Sequence, residues 1–537
     1  MKNWVTYPAR VGVLFMLLSS RLSVGQIAVT TYHNDNYRSG LNANETILAP
    51  SNVNEVTFGK RLVLPVTGSV YAQPLYVPGV NISGTRHNVV YVATEHDQVY
   101  AFDANSGQQL WQKSFIGRFG KRQVLPVSSQ DLSSCNDITP EIGITSTPVI
   151  DLTTNEIYIV AKTKEIVSGI TAYYQRMHVL DIRTGTEILL GPYFGAPITA
   201  KTPGTGSGSS GGYLNFDPKM QNQRPALALA NGLVFVAWAS HCDFGPFHGY
   251  VMAFSKGSLS PSGVFVTTPN AYDGGIWTSG WAPAVDSANF IYVPTGNGYF
   301  DVNVGGIDYG DSVLRLSWTG MQPDVADYFT PWDQAMLNAY DTDVASGGVL
   351  LLPDQPGAPY PHLLVQAGKE GTIDLVNRDN MGHFNPAGDT QIVQTLPYII
   401  GDVRGGPAMW NNNLYFGGTY SALKAFYYDP VAQQIQPNYT SATSEVFAYP
   451  GPTPSVSANG ASGAIVWIIQ ADDFESYGHA TLHAYDATNL ATEFYNSNQN
   501  QQRDQAGVAV KFSVPTVADG MVFVGARNEV DVYGLLN

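Results

Sequence analysis

The feature that most constrains this chain is an internal repeat of short strands. Triplets of β-branched and aromatic residues recur along the sequence at a mean spacing of about 62 residues. The eight triplets begin at Val90, Ile157, Val234, Ile291, Leu363, Leu414, Val466 and Val522. A spacing of this size suits a four-stranded sheet with some long loops, so the sequence predicts a propeller in which each repeat forms one blade.

Prolines mark one strand in most of the repeats. A second short strand with a proline lies upstream of nearly every triplet, and these prolines are Pro74, Pro148, Pro225, Pro283, Pro407, Pro454 and Pro515. Because proline cannot donate a hydrogen bond to a sheet ladder, it belongs on an edge strand. The innermost strand of a propeller blade has one edge towards the central channel, so these prolines predict the inner strands.

The two ends of the repeat array predict how the ring closes. Several triplets are followed by a third strand and a turn, as from Asp103 to Gly107. The last repeat stops after its third strand, residues 530–536, and residues 61–66 can supply the missing outer strand, which removes two sheet edges. We therefore predict an all-β fold over residues 26–537, an eight-bladed β-propeller closed by an N-terminal strand. Two stacked β-sandwich domains are the alternative, but they leave the even spacing unexplained.

The N-terminus predicts export. Lys2 and Arg10 precede an apolar stretch, residues 11–18, and Ser23 and Gly25 suit positions −3 and −1 of a cleavage site. Roughly ten apolar residues are too few to span a bilayer, which needs about 20. We predict a signal peptide over residues 1–25 and a secreted protein, extracellular or periplasmic. An uncleaved membrane anchor is the alternative.

Composition narrows the function classes. A net charge of −16 argues against a nucleic-acid partner, because binding to phosphates needs clustered Lys and Arg. No later stretch qualifies as a membrane span. Sequons at Asn44, Asn81 and Asn438 predict a glycoprotein if the host is a eukaryote. Cys135 and Cys242 are the only two cysteines, and an oxidising compartment permits a bridge between them.

One segment resembles a known repeat. The sequence Tyr-Val-Ala-Thr-Glu-His-Asp-Gln-Val-Tyr-Ala-Phe-Asp-Ala-Asn-Ser-Gly-Gln-Gln-Leu-Trp, from Tyr91 to Trp111, resembles the repeat of pyrroloquinoline quinone (PQQ) dehydrogenases and of related non-enzymatic propellers. The resemblance implies the scaffold and leaves the chemistry open, because one fold hosts many functions.

Positions in repeats three to five are similar to the site of the quinoprotein alcohol dehydrogenases. The segment Thr-Gly-Asn297-Gly resembles the one whose Asn binds calcium, and Gly-Asp311-Ser resembles the one whose Asp is the catalytic base. Asp243-Phe-Gly resembles a calcium-binding Glu-Phe-Gly, with Asp for Glu and one extra residue before the next Gly. Trp277 and Trp281 bracket the position of a Trp beneath the quinone, and Lys369 matches a basic residue near the quinone oxygens.

The chemistry that this resemblance implies fits the residue types. Calcium takes oxygen ligands, here Asp243 and Asn297, and polarises a quinone carbonyl. Asp311 takes the hydroxyl proton of an alcohol or sugar as hydride or its equivalent moves to PQQ. An indole face offers a stacking platform for the ring.

The chain also departs from this family. The adjacent cysteine pair is missing, with only Cys135 near its place, and the Arg expected soon after is absent. No Cys-x-x-Cys-His occurs, so the sequence predicts no covalent haem and an external electron acceptor.

Other interpretations stay open. Asn297 and Asp311 stand next to Gly and suit ordinary turns. His241 and Asp243, in the segment His241-Cys-Asp243, could instead form a small zinc site with His248, built from His and carboxylate ligands. The propeller could be non-catalytic, either a scaffold at the cell surface that binds a protein partner or a glycan-binding protein. The aromatic residues considered for glycan contact are Tyr173, Tyr174, Tyr299 and Phe300.

Overall fold

The regular secondary structure of the described chain is almost entirely β-strand. A computed structural model describes Met1 and residues 27–188 and 195–536. Most of the predicted signal peptide lies outside the described residues, so residues 1–25 remain a prediction. The longest helix in the described part has six residues, and none of the described helices is long and apolar enough to cross a membrane.

The strands form sheets that follow one another along the chain, numbered here from sheet 1 to sheet 8. Sheet 1 comprises Leu75–Ile82, Thr85–Thr94, Gln98–Asp103 and Gln109–Ser114. Sheet 2 comprises Gly117–Phe119, Arg122–Ser128, Glu141–Ile142, Val149–Asp151, Glu156–Val167, Ile170–Asp181 and Ala196–Pro197. Sheet 3 comprises Gln221–Asn222, Ala228–Ala230, Leu233–Ser240, Tyr250–Ser255 and Pro261–Val266. Sheet 4 comprises Ala284–Val285, Ile291–Pro294, Val313–Thr319, Gln322–Thr330 and His383–Phe384.

The second half of the chain repeats this arrangement. Sheet 5 comprises Val349–Leu351, Leu363–Ala367, Ile373–Asn377 and Gln394–Leu396. Sheet 6 comprises Ala408–Trp410, Asn413–Phe416, Lys424–Asp429, Gln434–Ile435 and Ser441–Ala442. Sheet 7 comprises Leu41–Asn42, Ser455–Asn459, Ser462–Gln470, Thr481–Asp486 and Glu493–Asn496. Sheet 8 comprises Thr516–Ala518, Met521–Gly525, Arg527–Leu535 and Phe58–Ser69.

A few short elements complete the described fold. A separate hairpin pairs Lys201–Pro203 with Tyr213–Asn215. The α-helices are Gln334–Ala339 and Gln501–Asp504. The 3₁₀ turns are Ser129–Leu132, Thr278–Gly280, Val302–Val304, Val344–Ser346 and Phe474–Ser476.

The repeated triplets are strands, as predicted. All eight lie in the strand that directly follows, along the chain, the inner strand of the same sheet. Both faces of these strands are buried, as at Val90, Tyr91 and Val92, because neighbouring sheets pack against each other. Successive hydrophobic cores lie between consecutive sheets, and the core of sheet 1 continues into sheet 2 on one side and sheet 8 on the other. The repeat therefore produces sheets stacked face to face.

The prolines mark the inner strands with a small correction to their position. Six of the seven stand directly before the first residue of an inner strand, as Pro74 does before Leu75–Ile82, and Pro225 stands three residues before Ala228–Ala230. The inner strands thus begin after the proline, which itself lies outside the strand.

The predicted closing strand is confirmed. Phe58–Ser69 pairs antiparallel with Arg527–Leu535, with Leu62 opposite Val532 and Leu64 opposite Val530. The N-terminal part of the chain therefore supplies the outer strand of sheet 8, and the two ends of the described chain meet in one sheet.

Residues 29–42, here called the channel segment, follow a course that the sequence analysis did not anticipate. The segment bonds to the inner strand of each of the eight sheets in chain order. Its partners are Tyr76, Ile150, Leu229, Val285, Leu351, Met409, Val456 and Val517. Arg38 is fully buried and donates two hydrogen bonds to the carbonyl oxygen of Pro283, at 2.8 and 3.1 Å. All eight inner strands therefore face one common segment.

Candidate functional site

A cavity of about 200 Å³, here called the central cavity, lies where the inner strands begin. Most of its walls come from connections just before the first strand of a sheet, so loops far apart in sequence converge there. The lining residues are Asp137, Ile138, Asn222, Arg224, Asp243, Trp277, Ser279, Asp341, Asp343, Ser346, Lys369, Arg404, Tyr449, Lys511 and Phe512.

Three residues singled out from the sequence, Asp243, Trp277 and Lys369, line this cavity. Asn297 lies directly behind its wall. The backbone N–H of Asn297 donates to Asp343 at 2.8 Å, and its Nδ2 donates to Asp341 at 2.7 Å. Its side-chain oxygen is buried and has no hydrogen-bond partner among the described residues. A cation is the kind of group that would satisfy such an oxygen.

Asp343 is the carboxylate most firmly held at the cavity wall. Lys369 pairs with it at 2.6 Å and with Asp341 at 2.9 Å. Burial opposes the charge on Lys369, but the carboxylates of Asp343 and Asp341 outweigh burial and raise the pKa of Lys369. Asp343 therefore lies beside a fixed ammonium and is positioned by the N–H of Asn297.

The surroundings of Asp243 disfavour the charged form of its carboxyl group. Desolvation by the surrounding protein raises the pKa of Asp243 to about 7, and the negative charges of Asp343 and Asp341 add to this effect. Lys369 opposes the shift but does not cancel it. A divalent cation between these carboxylates would reverse the shift.

Asp311 does not line the central cavity. Its carboxyl group is fully buried and accepts long hydrogen bonds, both 3.4 Å, from the N–H of Val344 and from Gln334. Burial holds the pKa of Asp311 well above its usual range, and the nearby charge of Asp343 raises it further. Its backbone is left-handed, with φ of 45°, as the turn interpretation expected. The carboxyl group of Asp311 thus contacts Val344 and Gln334, neither of which lines the central cavity.

The two tryptophans have different surroundings. Trp277 is partly exposed and lines the cavity. Trp281 is 1% exposed and donates its indole N–H to the carbonyl oxygen of Val349 at 2.9 Å. Gly348 and Gly406 pack directly against its ring, and His33 of the channel segment lies 4.3 Å away. The prediction that Trp281 stacks on a cofactor is therefore corrected, because neither face of its ring is free.

Three further cations line the cavity, Arg224, Arg404 and Lys511, and none of them was predicted from the sequence. Arg224 donates to the carbonyl oxygen of Ser279 at 3.1 Å and stacks over Phe512 at 4.9 Å. Burial lowers the pKa of Lys511 to about 8, with Arg224 and Arg404 lowering it further. All three stand within four positions before the proline of an inner strand, a signal that was present in the sequence. With Lys369, they give the cavity four positive side chains.

The zinc hypothesis is wrong. Cys135 and Cys242 form a disulfide with an S–S distance of 2.05 Å, so Cys242 offers no thiolate. Nε2 of His241 lies 2.7 Å from the ammonium of Lys162, and His248 hydrogen-bonds to Thr268 and to the carbonyl oxygen of Ser207. Residues 27–188 and 195–536 hold one group of three close potential ligands, Cys135, Asp137 and His241, and it contains this oxidised cysteine.

Of the four aromatic residues considered for glycan contact, only Tyr299 is exposed. Tyr299 is 44% exposed and lies beside Tyr272, with ring centroids 5.9 Å apart. Tyr173, Tyr174 and Phe300 are only partly exposed.

The central cavity fits the cofactor that the resemblance implies. PQQ carries three carboxylates, which suit the four cations, and its planar ring suits the face of Trp277. Calcium suits the carboxylate of Asp243 and the unpartnered amide oxygen of Asn297.

Comparisons with known proteins agree on the fold. No protein-family model and no curated protein sequence matches the chain. The quinohemoprotein alcohol dehydrogenase from Comamonas testosteroni superposes with a TM-score of 0.61 and 15% identity, over 96% of this chain and 81% of that one. A quinohemoprotein alcohol dehydrogenase from Pseudomonas putida HK5 gives a TM-score of 0.59 and 14% identity, over 95% and 80%. The chain therefore has the β-propeller fold of the quinoprotein alcohol dehydrogenases.

Proposed function

We propose that this chain is a secreted oxidoreductase of quinoprotein type that oxidises an alcohol or a sugar. The observation that carries the proposal is the composition of the central cavity. Four cations, a partly exposed indole and several carboxylates converge there from loops of different sheets. A cavity that bound no ligand would have no need of charged groups of both signs, because charged groups are costly to desolvate.

We infer that the eight sheets are the eight blades of one propeller. The channel segment supports this inference, because it bonds to all eight inner strands in order. The pairing of Phe58–Ser69 with Arg527–Leu535 supports closure of the ring.

Each cavity residue has a role that its surroundings favour. Arg224, Arg404 and Lys511 would bind the cofactor carboxylates, and Trp277 would stack on the ring. Asp243 and Asn297 would hold calcium. When bound, PQQ accepts the electrons of the substrate and calcium polarises its carbonyl.

Asp343 is better placed than Asp311 to accept the proton of a substrate hydroxyl. It lines the cavity, whereas the carboxyl group of Asp311 is fully buried. Lys369 and the N–H of Asn297 hold the carboxylate of Asp343 in a fixed orientation, which a general base requires. In this arrangement Asp311 is a buried neighbour of Asp343 and does not itself contact the substrate.

Secretion is supported by two observations. The disulfide between Cys135 and Cys242 is typical of an oxidising compartment. The three sequon residues, Asn44, Asn81 and Asn438, are all exposed and would accept a glycan without unfolding.

Binding of the cofactor tests the proposal. The purified mature chain is titrated with PQQ, with and without calcium, while tryptophan fluorescence is followed. Reduction of an electron-accepting dye is measured over a panel of alcohols and sugars. We expect saturable, calcium-dependent quenching and dye reduction with at least one substrate. Absence of binding at micromolar PQQ with calcium present would contradict the proposal.

A pair of tryptophan variants locates the binding site. Trp277→Leu should weaken PQQ binding about tenfold through loss of stacking. Trp332→Leu, outside the central cavity, should leave it unchanged. Equal effects of the two substitutions would contradict a site at Trp277.

A set of aspartate variants identifies the base. Asp343→Asn should lower kcat by about 100-fold or more, since a general base contributes this much. Asp341→Asn, which removes another partner of Lys369, should have a much smaller effect. If Asp343→Asn keeps full activity and Asp311→Asn loses it, the general base is Asp311 and not Asp343.

A further inference from the structure

A second cavity, of about 280 Å³, lies between sheets 4 and 5 beside the central cavity. We call it the acidic cavity, because the carboxyl groups of Asp333, Glu370, Asp374 and Asp389 line it, together with Asp343, which also lines the central cavity. None of its described lining residues is Lys, Arg or His. Its negative charge is therefore not balanced from within its own walls.

Asp374 is the unusual member of this set. It is 5% exposed, and its oxygen Oδ1 has no hydrogen-bond partner among the described residues. The hydroxyl of Thr395 bonds to the same carboxyl group. A buried carboxylate with a free oxygen is costly unless a donor or a cation meets it.

The neighbouring acids make this cost larger. Burial raises the pKa of Asp374 to about 8, and the charges of Asp389, Glu370 and Asp333 raise it further. Burial and then Glu370 raise the pKa of Asp333 to about 6. A bound cation would relieve both groups.

The form of the cavity favours an organic cation over a metal ion. No three of the described carboxylates of this cavity bring their oxygens within 4.8 Å of one another. The one group of three close potential metal ligands in residues 27–188 and 195–536 lies elsewhere. Calcium takes about six to eight oxygen ligands. Much of the wall is apolar or aromatic, from Leu337, Pro397, Trp332 and Tyr398. These groups suit an alkyl chain, and aromatic faces also attract cations.

We propose that the acidic cavity binds a primary alkylammonium group, which donates a hydrogen bond to the free oxygen of Asp374. The alkyl chain packs against Leu337 and Pro397, and the open end of the cavity is flanked by Trp332 and Tyr398, which are 48% and 69% exposed. The acidic cavity shares Asp343 with the central cavity, but Asp374, which would bind the ammonium group, lines the acidic cavity alone, so this site goes beyond the proposed oxidoreductase function and is tested without PQQ.

Calorimetry on the purified chain, at moderate ionic strength, compares three small molecules. We expect n-pentylammonium to bind at one site per chain and the uncharged n-pentanol not to bind. Tetramethylammonium, which has no N–H donor, should bind more weakly than n-pentylammonium. Equal binding of n-pentylammonium and n-pentanol, or stronger binding of tetramethylammonium, would overturn the proposal.

Variants distinguish this site from general attraction to an acidic protein. Asp374→Asn should weaken n-pentylammonium binding about tenfold or more, as expected for loss of a charged acceptor. Trp332→Leu, at the exposed end, should weaken it without risk to folding. Asp379→Asn removes an exposed carboxylate just after the same sheet strand, outside the cavity, and should change nothing. Equal effects of Asp374→Asn and Asp379→Asn would overturn the proposal, as would calcium binding that Asp374→Asn abolishes without any binding of n-pentylammonium.

Discussion

At the scale of single residues, buried carboxyl groups determine how stability responds to pH. Burial raises the pKa of Asp374 to about 8 and that of Glu95 to about 7. The folded state therefore binds these protons more tightly than the unfolded state does. The free energy of unfolding falls as pH rises from about 4, the unfolded pKa, to the folded pKa, and stays low above it. The apoprotein should be most stable in mild acid.

Asp374→Asn isolates one of these groups. The amide cannot ionise, so the variant avoids the cost of a buried charge facing Asp389, Glu370 and Asp333. Its Tm should match that of the natural chain near pH 5 and exceed it by a few degrees near pH 8.5. Thermal melts followed by circular dichroism measure both. The exposed Asp379→Asn serves as control, and a difference in Tm that is the same at both pH values would contradict the account.

The site residues show how far a sequence can predict chemistry. Asp243, Trp277 and Lys369 came from short segments that resemble a known site, and all three line the central cavity. Asp343 lies 46 positions after Asn297 and meets it only through a backbone N–H. No local motif announces such a contact. Asp311 stands in a segment with the expected residues, but its left-handed backbone accompanies a carboxyl group that is fully buried.

At the scale of elements, the closing strand Phe58–Ser69 offers a direct test. Leu64 is fully buried, whereas the adjacent Val63 is 45% exposed on the opposite face. Leu64→Ala should lower the free energy of unfolding by about 2–4 kcal/mol, as for other buried leucines. Val63→Ala should cost less than about 1 kcal/mol. Urea denaturation measures both, and equal losses would argue against the observed register.

The disulfide is a second element to test. It joins connections that carry Asp137 and Asp243, and it closes a loop with a sequence separation of 107. The double variant Cys135→Ala/Cys242→Ala should lose about 2–4 kcal/mol of unfolding free energy, chiefly because its unfolded state is less constrained. A reducing agent should lower the Tm of the natural chain and leave that of the double variant unchanged. If the reducing agent affects neither, the bridge does not stabilise the fold.

The strands could be predicted from sequence signals that the channel segment does not contain. The triplets combine β-branched and aromatic residues with a regular spacing, and the repeated prolines mark where the inner strands begin. The channel segment contacts the eight inner strands mostly through its own backbone oxygens and amides. Such bonds are independent of side-chain type, so no sequence pattern reveals them.

At the scale of the whole molecule, the channel segment connects all eight sheets. A chain that begins at residue 27 should melt in one cooperative transition. A chain that begins at residue 45 lacks these bonds and the buried Arg38, and it should melt at lower temperature and be cleaved faster by protease. Identical melting and proteolysis of the two chains would show that the segment does not hold the sheets together.

We propose above all that the central cavity binds PQQ together with calcium. The most direct measurement is a crystal structure of the chain grown with both. We predict density for the tricyclic ring on Trp277, its carboxylates near Arg224, Arg404 and Lys511, and a calcium ion at Asp243 and Asn297. A central cavity that stays free of cofactor at saturating PQQ and calcium, or PQQ bound elsewhere, would contradict the claim.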